Sequence, residues 1–404
     1  MRLFYVLQWY DGDVDKNKKI FGLQRNVFFL GITSFLNDLS SEMVLSVLPA
    51  FFISVLKTGA GALGIVEGVA DAASNLIKVY SGRRSDKMAK RKIFAILGYT
   101  LSVCTRPFYT FAGSVFDVAS LRVIDRIGKG FRDSPRDALI SLSVDAREVG
   151  WSFGYHRAMD TLGGVAGPLV AFLILSQFPD AFSSVFMVSF VIGLLAIASL
   201  IWVHDVGPVI SKNIFAPTTG TLTPRLRAYI FSLFILCAGT LPVAVLLFKT
   251  QELGFAVATI PLFYMIYSVS YAISSWPAGR LVDRIGSGRM IVLGYIFLIS
   301  AYATLAMSQS IFLLVLGLLL TGLFSACADG AQRAHIAHLV PENQRGTAYG
   351  YFNVAVGFGA LVAGVVGGYL WEFVGSHVAL GAGVATVFIG LSVFMSTLRV
   401  RRRT

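Results

Sequence analysis

The chain has 404 residues, of which 55% are hydrophobic and only 14% are charged, whereas a soluble domain carries about 25% charged residues. This composition excludes an ordinary soluble protein with one core and predicts a polytopic membrane protein. The net charge of +12 is spread over short clusters between apolar runs, which argues against nucleic acid as a partner.

The first 26 residues are predicted to be a polar cytoplasmic tail. They hold three aspartates and three lysines, and no small-residue cleavage site follows a short apolar core, so they do not resemble a signal peptide. After the tail, apolar runs recur that are long enough to cross a bilayer as helices, which takes about 20 residues each. Twelve helices are predicted, at residues 27–56, 60–81, 93–114, 115–135, 150–176, 181–203, 228–249, 257–279, 290–309, 311–333, 347–371 and 376–398.

The fourth predicted helix is the least apolar, because it carries seven charged residues, among them Asp117, Arg122, Asp125, Arg126 and Lys129. It is retained because the pattern of positive charge requires an even number of crossings. Lysines and arginines gather in the tail, at the C-terminus and in every second connection, and by the positive-inside rule both termini are cytoplasmic. The basic connections are 82–92, 132–147, 204–227, 280–289 and 333–345.

The chain is predicted to consist of two six-helix bundles. The predicted parts are the tail 1–26, the first bundle 27–203, a cytoplasmic linker 204–227 that contains three prolines, the second bundle 228–398 and a basic tail 399–404. Gly82 and Asp86 recur at the same spacing 197 residues later as Gly279 and Asp283. Further matches at nearly the same offset make a chance repetition implausible, and such parallel repeats are typical of transporters.

Three motifs carry a resemblance to a known family. They are the connection from Gly82 through Asp86, Lys90 and Arg91 with its copy at Gly279, Asp283 and Arg284, the run Arg126-Ile-Gly-Lys-Gly130, and the run Gly163-Gly-Val-Ala-Gly167-Pro168. With these motifs the whole chain resembles the major facilitator superfamily, although Ala89 and Leu169 depart from its pattern. The resemblance implies an all-α fold of twelve transmembrane helices in two pseudo-symmetric halves. The partial motif on the fifth helix is associated with antiporters and implies export.

Ionisable residues inside a bilayer are costly, so each is a functional candidate. Asp38, Asp71, Arg126 and Asp160 each lie ~15–16 Å along their helices, and we expect them to converge near the midplane. A carboxylate that loses its arginine partner can take up a proton. The predicted proton-coupling residues are Asp38, Asp71, Asp160, Glu42 and Glu67.

Basic residues on the fourth and fifth helices are candidates for switching partners or for binding an anionic substrate. They are Arg126, Arg122, Arg157 and His156. The alternative is that all these charges form permanent structural pairs. No metal site is predicted, because no spacing supports one for Asp38 with His156.

The second half offers mainly aromatic and polar side chains for a substrate cavity. The candidates are Tyr264, Tyr267, Tyr271, Asp329 and Asn353. The alternative is that the tyrosines are interfacial anchors or core residues. The two repeated connections are predicted to form a cytoplasmic gate, in which Asp86 lies at a helix N-terminus of the other half. Gly163 and Gly167 with Pro168 are predicted to let the fifth helix pack closely.

The predicted function is secondary active transport of a small organic molecule across the inner or plasma membrane, by proton-coupled antiport. The alternatives are uptake of an organic anion or metal chelate by symport or facilitated diffusion, and a non-transporting membrane sensor. An enzyme is not predicted, because no serine–base pair, metal cluster or phosphate-binding loop is present in the sequence. We expect a monomer in the lipid bilayer with no cofactor, protons as the coupling ion and no disulfide among the three cysteines.

Overall fold

The computed structural model describes residues 19–88, 91–145, 148–205, 223–341 and 344–399, except the side chains of residues 82–83, 86–88 and 399. The first element is an antiparallel hairpin of two short strands, β1 (Lys19–Ile20) and β2 (Leu23–Gln24). Phe21 and Gly22 in its turn have φ values of 48° and 80°, which a tight two-residue hairpin requires.

Six long helices follow the hairpin. They are α1 (Arg25–Ser54), α2 (Ala60–Met88), α3 (Arg91–Thr105), α4 (Val115–Leu142), α5 (Val149–Gln177) and α6 (Phe182–Ser199). Turns of 3₁₀ helix extend α3 over Arg106–Phe111 and α6 over Leu200–Trp202. A capping box starts α4, since the Ser114 hydroxyl accepts from the Asp117 amide and the Asp117 carboxylate accepts from Ser114.

The second half is more interrupted. Its helices are α7 (Pro224–Ala238), α8 (Val243–Leu246), α9 (Phe248–Glu252), α10 (Ile260–Ile285), α11 (Ser287–Ala306), α12 (Ile311–Leu339), α13 (Arg345–Val362), α14 (Gly368–Phe373) and α15 (Ser376–Arg399). A 3₁₀ turn at Val257–Thr259 precedes α10, and a π-helical turn at Ala363–Gly367 joins α13 to α14. The predicted helix 228–249 breaks after Ala238, where Gly239 and Pro242 interrupt the backbone.

Helical segments occupy each of the twelve predicted positions, so the expectation of an all-α chain is confirmed. In the described residues, nine helical segments are long and apolar enough to cross a membrane. The three other segments are those that begin at Ala60, Arg91 and Val115. These helices carry most of the buried charge, so the number of twelve crossings stays a prediction.

Several predicted loops are wrong in extent. Helix α2 continues to Met88 through the connection predicted at 82–92, and α4 continues to Leu142. Likewise α10 ends only at Ile285, where Gly286 adopts a φ of 87°, and α12 continues to Leu339. The physical reason is that arginine, lysine, leucine and methionine are good helix formers, so charge marks the membrane boundary without ending the helix.

Close packing within the first half places α5 against α1. A Cβ added to Gly163 would lie 2.8 Å from the Leu39 amide nitrogen, and one on Gly167 would lie 2.9 Å from the Glu42 Cβ. Only glycine allows this approach of the two backbones. As a result, α5 lies directly against the part of α1 that carries Asp38 and Glu42.

The two halves meet along α2 and the α13–α14 segment, at the end of the bundle where α2 begins, hereafter the Ala60 end. Gly64 lies against the backbone of Gly364, and a Cβ on Gly68 would lie 3.2 Å from the Ala360 carbonyl oxygen. The Gly61 amide donates a hydrogen bond of 2.7 Å to the Glu372 carboxylate. The halves are therefore in direct backbone contact at the Ala60 end.

Candidate functional site

A buried ion-pair cluster joins α2 to α4. The Arg122 guanidinium forms two hydrogen bonds of 2.7 Å with the Glu67 carboxylate, and its third nitrogen lies 3.1 Å from the Asp125 carboxylate. Glu67 is 3% exposed and Arg122 is 2% exposed. Such a bidentate buried pair has fixed geometry, which fits a structural role for these two residues.

Arg126 lies one helical turn after Arg122 and has two carboxylates near it. Its Nε is 3.3 Å from Asp71, and its Nη2 is 3.8 Å from Glu67. The Asp71 side chain is 39% exposed, unlike that of Glu67. Arg126 therefore has two possible partners, as a charge switch requires. Asp71 is accessible to water, whereas Glu67 is already paired with Arg122.

A second polar group lies on α1 and α5. The Asp38 carboxylate accepts a hydrogen bond of 3.0 Å from the Asn37 amide and lies in the electrostatic field of Asp160 and Lys129. His156 is bonded to the Ser34 hydroxyl at 2.6 Å, and its other nitrogen is 3.5 Å from Asp160. The four expected midplane charges are thus divided, with Asp38 and Asp160 in this group and Asp71 with Arg126 in the other.

Lys129 was not among the residues predicted from the sequence, although its charge acts on both groups. Lys129 is half-buried on α4, forms no ion pair in the part of the chain described, and acts on both Asp38 and Arg126 through its charge. Its position in the run Arg126-Ile-Gly-Lys-Gly130 was the signal that could have identified it. It supplies a positive charge that no neighbouring carboxylate neutralises by contact.

The second half presents a ladder of tyrosines on α10. The ring centroids of Tyr264 and Tyr267 are 5.7 Å apart, and those of Tyr267 and Tyr271 are 6.5 Å apart and stacked. The Tyr267 hydroxyl is 3.2 Å from Ser325, and the Tyr271 hydroxyl donates to Asp329 at 3.4 Å. Asn353 is half-buried on α13 and shares no hydrogen bond with them among the described contacts.

Two contacts connect the polar groups of the two halves. The Tyr264 hydroxyl donates a hydrogen bond of 2.7 Å to the Glu42 carboxylate. Nearer the other end of α10, the Arg157 guanidinium lies 6.0 Å from the centre of the Tyr271 ring. Arg157, Tyr271 and Asp329 therefore bring α5, α10 and α12 together, and the candidate site lies between these two contacts.

The predicted gate residues are only partly described. Lys90 lies outside the described residues, and for Gly82 and Asp86 the backbone alone is described, within α2. Arg91 is buried, whereas Asp283 and Arg284 are exposed at the end of α10 and a Cβ on Gly279 would meet open space. The latch formed by Asp86 therefore stays a prediction.

The chemistry of the site is that of carboxylates, cations and phenols. Among the described residues, no three histidine, cysteine or acidic side chains lie together as metal ligands. Asp38 and Glu42 each accept from a neutral donor, an amide and a hydroxyl respectively. A carboxylate held in this way can exchange a proton without first breaking an ion pair.

The sequence model of the Major Facilitator Superfamily matches residues 30–240 and 228–404. An uncharacterized MFS-type transporter of Methanocaldococcus jannaschii is 33% identical over 385 residues, covering 91% of this chain and 95% of the relative. A multi-drug resistance efflux pump PmrA homolog of Lactococcus lactis is 23% identical over 399 residues, covering 94% of this chain and 96% of the relative.

Among solved structures, a variant of the nucleoside transporter NupG matches with a TM-score of 0.77 over 92% of this chain and 99% of that one, at 14% identity. A human organic anion transporter matches with a TM-score of 0.67 over 92% of this chain and 99% of that one, at 15% identity. At such low identity these matches concern the fold alone. They agree with the all-helical architecture described above.

Proposed function

Because the chain belongs to the Major Facilitator Superfamily of multi-pass membrane transporters, we propose that it exchanges protons for a small organic molecule by alternating access. The family and its fold are those of transporters, so the prediction that the chain is not an enzyme is confirmed. The proposed membrane is the inner or plasma membrane, with both termini cytoplasmic.

The observation that carries this proposal is the state of the carboxylates at the interface between the halves. In the described structure Asp38 and Glu42 lack ion pairs, whereas Glu67 is held by two hydrogen bonds from Arg122. A paired carboxylate keeps its charge throughout a cycle, but an unpaired one in a partly dry site can take up and release a proton. This contrast ranks Asp38 and Glu42 above Glu67 as proton carriers.

The contact between Glu42 and Tyr264 suggests how proton binding and movement of the halves are linked. When the halves separate there, Glu42 exchanges the Tyr264 hydroxyl and its buried surroundings for water, and its affinity for a proton changes. Opening and closure of the halves would therefore be linked to binding and release of the proton. Substrate would bind beside the tyrosines of α10, which offer aromatic faces and hydroxyls.

Export is the proposed direction. It rests on the Gly163–Pro168 motif and on a relative named as a multi-drug efflux pump homolog. Uptake of an organic anion is a second candidate, because Arg157 is exposed beside Tyr271 and could bind a carboxylate or phosphate. The two differ in the direction of substrate flux under an imposed proton gradient.

The proposal is tested with the purified protein in liposomes that contain a pH-sensitive dye. Ethidium and a panel of organic anions serve as the probe compounds, added under an imposed proton gradient. We expect coupled movement of protons and one probe class, which Asp38→Asn abolishes. The matched control is Asp180→Asn, because Asp180 is exposed in the turn between α5 and α6.

Two results would contradict the proposal. The first is an Asp38→Asn protein that moves protons and substrate as fast as the parent. The second is a parent protein that transports a probe at a rate that no proton gradient changes. The latter would favour facilitated diffusion.

A further inference from the structure

A fully buried arginine lies behind Asp38. Arg106 follows the last residue of α3, begins the 3₁₀ turn and is only 2% exposed. Within the described residues its guanidinium has no carboxylate at ion-pair distance. This is unusual, because a buried cation generally requires an anionic partner to offset the loss of hydration.

Neutral groups of α1 and α6 surround this guanidinium instead. Its Nη1 donates to the Ser40 hydroxyl and lies 3.4 Å from the Ser189 carbonyl oxygen, while its Nη2 lies 3.4 Å from the Asn37 side-chain oxygen. Gly193 on α6 provides the space, because a Cβ there would collide with Nη1. The surrounding helices therefore hold the Arg106 charge with neutral hydrogen-bond acceptors and without a direct ion pair.

Asn37 connects this charge to Asp38. Its oxygen accepts from Arg106, and its amide nitrogen donates to the Asp38 carboxylate at 3.0 Å. The opposite orientation of the amide would place NH₂ against the guanidinium and oxygen against the carboxylate, so only one orientation satisfies both neighbours. Asn37 is 1% exposed, so this link is shielded from water.

Other charged and titratable groups also act on Asp38 from the elements that surround it. They are Lys129, Arg132 and Arg136 on α4, His156 and Asp160 on α5, and Glu42 on α1 itself. Of the basic groups, Lys129 is half-buried on α4, the helix that also carries the ion pairs of Arg122 and Arg126. Arg106 and Arg132 are both enclosed and permanently charged, but Arg106 is the one linked to Asp38 through the Asn37 amide.

We infer that Arg106 is a positioning residue for Asp38, acting through Asn37 to hold the carboxylate as an oriented hydrogen-bond acceptor and to favour its ionised form. The inference rests on the proposed function, since it gives Asp38 its place as the proton carrier. Polarised by the guanidinium, the Asn37 amide is a stronger donor towards Asp38. Asp38 can then release its proton without a direct ion pair, which would keep the carboxylate permanently ionised.

The test measures protonation of Asp38 directly and needs no substrate. Infrared difference spectra of the purified protein in lipid nanodiscs are recorded during a pH titration. The carboxylic acid band that disappears in Asp38→Asn is assigned to Asp38, and its midpoint is then compared among Arg106→Gln, Arg106→Lys and Asn37→Leu. Gln332→Leu is the matched control, because Gln332 is a buried amide bonded to Tyr295 in the second half.

We expect Arg106→Gln and Asn37→Leu to move the midpoint to higher pH by about one unit, since a lost favourable charge destabilises the ionised form. Arg106→Lys should retain most of the parent midpoint, and Gln332→Leu all of it. If Arg106→Gln does not fold, Asn37→Leu decides, because it leaves the guanidinium in place.

An unchanged midpoint in folded Asn37→Leu would overturn the inference, as would Arg106→Lys shifting as far as Arg106→Gln. Either result would make Arg106 a structural residue only. Failure of the proposed function is recognised separately. In that case the parent protein moves no protons in liposomes, while the infrared titration still reports whether Asp38 responds to Arg106.

Discussion

The hydroxyl of Tyr264 lies 2.7 Å from the carboxylate of Glu42 and joins α10 of the second half to α1 of the first. Tyr264 is 6% exposed, so this hydrogen bond is sheltered from water. A hydrogen bond to a charged group contributes about 1.5–3 kcal/mol. The contact therefore favours the arrangement of the halves described here over any in which they separate at this point.

Replacing Tyr264 with phenylalanine should shift the protein towards the separated arrangement. The expected change in the equilibrium is roughly tenfold, from the loss of about 1.5 kcal/mol. The measurement is the rate at which a cysteine introduced on α1 beside Glu42 reacts with a polar thiol reagent. Tyr267→Phe is the control, because the Tyr267 hydroxyl contacts Ser325 within the second half and should leave that rate unchanged.

Glu67→Gln should destabilise the fold without selectively affecting coupling. Removing one partner of a buried ion pair costs about 3–5 kcal/mol, because the Arg122 charge is left in the interior. The measurement is the thermal unfolding midpoint in detergent. Asp71→Asn is the comparison, since this side chain is 39% exposed and should cost far less. Equal losses from the two substitutions would contradict the distinction between structural and exchangeable carboxylates.

Gly64→Ala should prevent close contact of the halves at the Ala60 end. A Cβ at this position would collide with the backbone at Gly364, and backbone cannot rotate away as a side chain can. The expected result is a longer distance between spin labels on α2 and α14, measured in a cysteine-free background. Gly164→Ala is the matched control, because nothing lies within 4 Å of a Cβ there. A distance that does not change would show that other contacts hold the two helices.

Glu372→Ala should weaken the same contact more mildly. The Glu372 carboxylate accepts from the Gly61 amide in the first turn of α2, where a negative charge stabilises a helix by about 0.3–1 kcal/mol. The expected effect is a several-fold faster separation of labels at the Ala60 end. Glu252→Ala is the comparison, because Glu252 contacts Lys249 and Ser376 within the second half. Equal effects would argue against a specific role of Glu372.

The charged residues of the candidate site could be predicted from the sequence, but their pairing could not. Asp38, Asp71, Arg126 and Asp160 were expected to converge because they lie at similar depths. Depth along a helix does not specify the direction in which a side chain points, and direction decides that Arg126 contacts Asp71 while Asp38 contacts Asn37. The sequence does not link Arg106 to Asp38, because the neighbours of Arg106 on α1 and α6 are uncharged and distant in sequence.

What the sequence determined by itself is the class of protein. Long apolar runs, alternating basic connections and the repeat of Gly82 and Asp86 specify a helical membrane transporter, because the bilayer imposes helix length and the distribution of charge. Only the tertiary structure decided which carboxylates are paired and which are not. Those contacts depend on how the helices are rotated and how closely they approach one another. Glycines at the interface allow a close approach, but their positions in the sequence do not specify which helix packs against them.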